Sequence, residues 1–76
     1  MDRFSKFTSE ERGLISVGLI KEAEEFVKYG LNGYNERGKM EYLKIMALID
    51  ECDKERKYYH MYKDFPRKGD RRYFNK

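Results

Sequence analysis

The chain has 76 residues, of which 41 % are charged and 16 % aromatic, and its net charge is +3. A chain of this size forms one domain at most and buries only about 60 % of its unfolded surface, so it commonly needs a partner. A single cysteine, Cys52, excludes a disulfide framework, and no apolar run approaches the ~18 residues of a membrane-spanning helix. We therefore expect a folded cytoplasmic protein with no membrane contact.

Charge is distributed unevenly along the chain. Residues 1–55 carry nine basic and twelve acidic side chains, a net charge of −3, whereas residues 56–76 carry eight basic and two acidic side chains, a net charge of +6. This separation indicates that the C-terminal part is the region for contact with other molecules.

A first helix is predicted in "TSEERGLISVGLIKEAEEFVKYG". Thr8 and Glu11 have the spacing of a capping box at its start, and Gly30 is suited to its end. Six apolar residues lie on one face and predict the side that packs in the core: Ile15, Leu19, Ile20, Ala23, Phe26 and Val27.

A second, longer helix is predicted over residues 39–65, after a loop rich in glycine and asparagine, and it cannot continue past Pro66. Its core face is predicted to carry Tyr42, Ile45, Met46, Ile49 and Cys52. Tyr58, Tyr62 and Phe65 form a second stripe, about 180° from the first if the helix is continuous. Either this stripe faces a different partner, or a break near residues 53–56 returns it to the core.

These elements predict an all-α fold: an antiparallel helical hairpin over residues 1–65, followed by a short irregular tail, 66–76. Because two helices bury little surface, we expect the hairpin to dimerise into a helical bundle. Four apolar residues outside the core stripes are candidates for the dimer seam: Leu14, Val17, Leu43 and Leu48.

Two pairs of carboxylates, Glu22/Glu25 and Asp50/Asp53, resemble the paired acidic motifs of MazG-type nucleotide pyrophosphohydrolases, which hold magnesium in an all-α bundle. Glu22 and Glu25 lie at or beyond the rim of the core stripe, so the four side chains do not converge. Cys52 and the single His60 are too few for a zinc site. We expect a protein without enzymatic activity, metal or cofactor, and keep the pyrophosphohydrolase as a remote alternative.

The C-terminal region interleaves cations with aromatic side chains, a mixture suited to protein interfaces and also to single-stranded nucleic acid or phosphate backbones. The predicted contact residues are Tyr58, Tyr62, Phe65, Arg67, Lys68, Arg71, Arg72, Tyr73 and Phe74. The density of aromatic residues favours a protein target, with nucleic acid as the alternative.

The start "T-x-E-E-R-x-L-I", from Thr8 to Ile15, followed by a charged hairpin to Arg56, resembles small accessory proteins of bacteriophages. The resemblance implies a non-enzymatic inhibitor or adaptor that binds a host or defence macromolecule in the host cytoplasm. It assigns no functional residue.

Overall fold

The fold is built from two long helices and one helical turn, as seen in a computed structural model that describes residues 4–30 and 36–67. Helix α1 spans Ser9–Tyr29, α2 spans Glu36–Cys52 and the four-residue α3 spans Tyr59–Tyr62. These ranges contain no strand. The predicted helical class is therefore confirmed.

Both ends of α1 lie where the sequence predicts them. The Thr8 hydroxyl accepts from the Glu11 backbone N–H at 3.1 Å, and the Glu11 carboxylate accepts from the Thr8 N–H at 2.8 Å. At the other end Gly30 has a φ of 85°, which an L side chain adopts only at a cost. The capping box and the terminating glycine thus set the length of the helix.

Helices α1 and α2 pack against each other as an antiparallel pair. The Cys52 thiol, at the end of α2, donates to the carbonyl of Arg12 near the start of α1, at 3.3 Å. At the opposite end the rings of Phe26 and Tyr42 lie 5.9 Å apart. The buried core cluster between them comprises Ile20, Ala23, Tyr42, Met46, Ile49 and Tyr62.

The second helix differs from its predicted bounds at both ends. It begins at Glu36, so that Gly38 lies inside the helix, and it ends at Cys52, 13 residues before the predicted end at residue 65. A continuous second helix is therefore wrong, and the break near residues 53–56 is what the structure shows.

The break is organised by the carboxylate of Asp53, which is only 5 % exposed. One oxygen accepts from the backbone N–H of Lys57 at 2.9 Å, and the other accepts from that of Tyr58 at 2.9 Å. The second oxygen also accepts from the hydroxyl of Tyr62 at 3.0 Å. A charged acceptor that binds these donors fixes the chain reversal and the start of the returning segment.

The returning segment packs on the hairpin as far as residue 67. Pro66 is buried, and its carbonyl accepts from the Tyr42 hydroxyl at 2.7 Å. Arg67 pairs with Asp50 through two hydrogen bonds of 2.7 and 3.0 Å. The first two residues of the predicted tail thus pack against the helical body.

The start of α1 accepts the returning chain because residue 13 has no side chain. A Cβ atom at Gly13 would lie 2.7 Å from the Tyr58 hydroxyl, closer than real Cβ contacts. Gly18, also in α1, would meet nothing within 4 Å. The two glycines therefore differ in their structural role.

Replacing Asp53 with alanine should lower the free energy of unfolding by about 1–3 kcal/mol, because the backbone donors of residues 57 and 58 lose their acceptor. Urea denaturation measures the change, with Asp64→Ala, an exposed carboxylate of the same segment, as the matched control. Equal stability of both variants would contradict the role assigned to Asp53.

Gly13→Ala and Gly18→Ala should shift the urea midpoint by different amounts. Gly18→Ala should stabilise by about 0.5–1 kcal/mol through helix propensity, whereas Gly13→Ala should gain less because the half-buried Tyr58 ring must shift to admit the methyl group. Combining Gly13→Ala with Tyr58→Phe removes the clashing hydroxyl and should recover stability. A Gly13→Ala variant as stable as Gly18→Ala would contradict the close approach of Tyr58.

Candidate macromolecule-contact surface

The three aromatic residues predicted to face a partner pack instead with the hairpin. Tyr62 is 1 % exposed and belongs to the buried core cluster, while Tyr58 and Phe65 are half-buried against that cluster. The interpretation of Tyr58, Tyr62 and Phe65 as a stripe facing away from the core is therefore corrected. The physical reason is the reversal at Asp53, which turns these rings back onto α1 and α2.

The predicted cations fall into two groups. Arg67 is half-buried, and its bidentate hydrogen bonding to Asp50 raises the pKa of the guanidinium above its usual value. An ion pair with both side chains nearly half exposed contributes about 1 kcal/mol at most. The other predicted contact residues lie outside the described ranges: Lys68, Arg71, Arg72, Tyr73 and Phe74.

A different set of side chains is exposed where the chain reverses. We call this set the reversal surface, and it comprises Arg56, Lys57, Tyr59, His60, Met61 and Lys63. Tyr59 is 38 % and Met61 39 % exposed. Three of the six residues are permanent cations, the exposed carboxylates of Glu55 and Asp64 lie in the same segment, and the two large side chains are of types enriched at protein interfaces.

Arg56 and Tyr59 form the centre of the reversal surface. The Arg56 guanidinium carbon lies 4.9 Å from the centroid of the Tyr59 ring, within cation–π range. Tyr59 in turn meets Tyr62 edge-on, with ring centroids 5.4 Å apart. The exposed ring is thus held by a buried ring on one side and a cation on the other.

The backbone of Arg56 lies in the left-handed region, with a φ of 60°. Glycine and asparagine adopt this conformation at lower cost than a long side chain does. The turn conformation alone therefore does not explain why residue 56 is arginine. Unfavourable backbone conformations of this kind cluster at functional sites.

The sequence contained one signal of this arrangement. Residues 53–57, "DKERK", contain no apolar side chain, so the spacing of apolar positions fails after Cys52. An aspartate at the start of such a gap can bind backbone N–H groups a few residues later. Those two features together predict the break after Cys52, but they do not predict which of the following rings is buried.

The two acidic pairs do not form a common site. Glu22 and Glu25 are exposed on α1, whereas Asp50 binds Arg67 and Asp53 is engaged in the chain reversal. Within residues 4–30 and 36–67 there is no group of three or more histidine, cysteine or acidic residues placed to hold a metal. The geometry offers the magnesium-dependent alternative no support.

Burial and the hydrogen bond to Asp53 raise the pKa of Tyr62 to about 12. The neutral phenol is thus favoured in the folded state relative to the unfolded chain, where a tyrosine titrates near 10. The associated stability is complete below pH 10 and is lost as the pH rises toward 12.

The free energy of unfolding should fall by about 2 kcal/mol more between pH 9 and 12 in the wild type than in Tyr62→Phe, which has no phenol to ionise. Urea denaturation across this pH range tests it, with the exposed Tyr59→Phe as the control variant. A pH dependence that is identical in wild type and Tyr62→Phe would contradict the coupling.

No helix in the described ranges is long and apolar enough to cross a bilayer. In comparisons with known proteins, no family model matches the chain, and neither a curated protein nor a solved structure matches it.

Proposed function

We propose that the chain is a small non-enzymatic binding protein that docks a protein target through the reversal surface and the basic residues that follow it. The observation that carries the proposal is Arg56, held at a φ of 60° with its guanidinium over the exposed ring of Tyr59. Arginine and tyrosine are the side chains most enriched among residues that dominate binding energy. In this structure the two side chains are in contact and both exposed.

The positive charge of the C-terminal region favours binding to an acidic partner. Residues 54–67 contain five basic and two acidic side chains, and residues 68–76 contain four basic and one acidic. This positive end accelerates encounter with an acidic partner surface. The resemblance to bacteriophage accessory proteins favours a host or defence protein as the target and the host cytoplasm as the setting.

A nucleic-acid target is the second candidate, favoured by the same positive charge. With Tyr58, Tyr62 and Phe65 packed on the hairpin, Tyr59 is the most exposed aromatic ring of residues 56–67. Single-stranded binding relies on successive stacking platforms, so the described surface favours a protein. The dimer predicted from the sequence also remains a proposal, since a single chain does not show it.

Affinity capture from a bacterial host lysate, with and without nuclease, tests the proposal. The bait pair is wild type and Arg56→Asn/Tyr59→Ala, since asparagine retains the left-handed backbone and removes the guanidinium. Tyr29→Ala, which removes an aromatic side chain that is 77 % exposed elsewhere, is the matched control. Capture of the target should be unaffected by nuclease treatment and by the Tyr29→Ala substitution. The affinity of the target for the double variant should be at least about 30-fold lower than for wild type.

Truncation after Arg67 measures how much residues 68–76 contribute to the affinity for the target. It retains Pro66 and Arg67, which contact the helical body. If nuclease abolishes capture, and if the logarithm of the affinity falls with the logarithm of the salt concentration by about 0.9 for each duplex phosphate contact, the target is nucleic acid and not a protein. Capture that is unchanged in Arg56→Asn/Tyr59→Ala would overturn the reversal surface as the contact site.

A further inference from the structure

The outer face of α1 carries a stripe that the hairpin does not cover. Its residues follow the alternating spacing of four and three that forms a coiled-coil seam. They are Glu10, Leu14, Val17, Lys21, Glu24 and Lys28. Leu14 is 73 % exposed and Val17 half-buried, and both line an open groove together with Gly13, Lys57 and Tyr58.

The stripe is complementary to itself when a second copy runs antiparallel. A two-fold axis placed between residues 15 and 16 sets a residue of one copy opposite a residue of the other copy, and the two residue numbers add up to 31. Leu14 then faces Val17 of the second copy, and Glu10 faces Lys21 of the second copy. By symmetry each of these pairs occurs twice, as an isologous interface requires.

Other arrangements of the same two helices lack this complementarity. A parallel pair in register sets Glu10 against Glu10 and Lys21 against Lys21. An antiparallel pair shifted by one heptad sets Leu14 against Glu24 and Val17 against Lys21. That shifted register pairs only Glu10 with Lys28. In the register centred between residues 15 and 16 the four residues from Glu10 to Lys21 are matched, and Glu24 and Lys28 fall opposite positions that precede α1.

The other predicted seam residues are placed differently. Leu43 packs against the hairpin core, and Leu48 lines a separate shallow depression on α2 with Lys44 and Glu51. Of the four predicted seam residues, Leu14 and Val17 thus line one groove together. A dimer seam formed by these two residues lies on α1 alone.

We propose that a second copy of this chain docks on the outer face of α1, antiparallel, with Leu14 against Val17 and Glu10 against Lys21 in both directions. The contact is smaller than a standard interface, so the dimer is weak and concentration-dependent. It leaves Arg56 and Tyr59, which lie outside the groove, to the target, while Lys57 borders the docked copy.

Sedimentation equilibrium of the full chain, from about 10 µM to 1 mM, tests the interface. Leu14→Asp should abolish self-association, while Tyr29→Asp, a charge placed at an equally exposed position, should leave it unchanged. Far-ultraviolet circular dichroism of each variant verifies the fold. A wild type that stays monomeric throughout, or a Leu14→Asp variant that dimerises like wild type, would overturn the proposal.

A charge exchange tests the register. Glu10→Lys alone and Lys21→Glu alone each place like charges opposite one another and should weaken association by about 5- to 10-fold or more. An equimolar mixture of the two variants restores both ion pairs in a heterodimer and should associate as tightly as wild type. A mixture no tighter than either variant alone would overturn the register, whatever the outcome of target capture.

Discussion

The carboxylate of Asp53 is the constraint on which the arrangement of this small protein depends. It lies one residue after the end of α2, and its two oxygens accept from two backbone N–H groups and one phenol. Hydrogen bonds to an ionised acceptor are about twice as strong as neutral ones. This group therefore ends one helix, reverses the chain and sets the position of the next turn.

The reversal gives a two-helix hairpin a third layer. The α1–α2 pair alone would leave the core face of α2 partly open, because two helices bury little apolar area. Tyr62 fills that space, while the Tyr42 hydroxyl and Asp50 hold Pro66 and Arg67 in place. The aromatic side chains of the C-terminal region are thus divided, with Tyr62 in the core and Tyr59 at the surface.

The two proposed interfaces differ in the types of side chain that they contain. The reversal surface combines net positive charge with Arg56, Tyr59 and Met61, which suits a separate macromolecule. The outer face of α1 alternates acidic, apolar and basic side chains, which suits a second copy of the same helix. The two surfaces adjoin at Lys57, which lines the same groove as Leu14 and Val17, whereas Arg56 and Tyr59 lie outside that groove.

The sequence by itself determined the class of the fold, the ends of α1 and the core face of α2, whereas on α1 the buried positions include Gly13 and Ser16 and leave Ile15 half-buried. These properties are local, because a capping box, a terminating glycine and a 3.6-residue period act within a few residues of one another. Tyr42, Met46 and Ile49 are accordingly buried where the period places them.

The tertiary structure alone decided which rings after the break are buried, with Tyr62 in the core and Tyr59 exposed. Helical periodicity carries no information about a residue once the helix has ended. The position of Tyr62 depends on a hydrogen bond to Asp53, nine residues earlier, and that of Pro66 on Tyr42, 24 residues earlier. Contacts across such separations arise from the packed chain, and no local pattern specifies them.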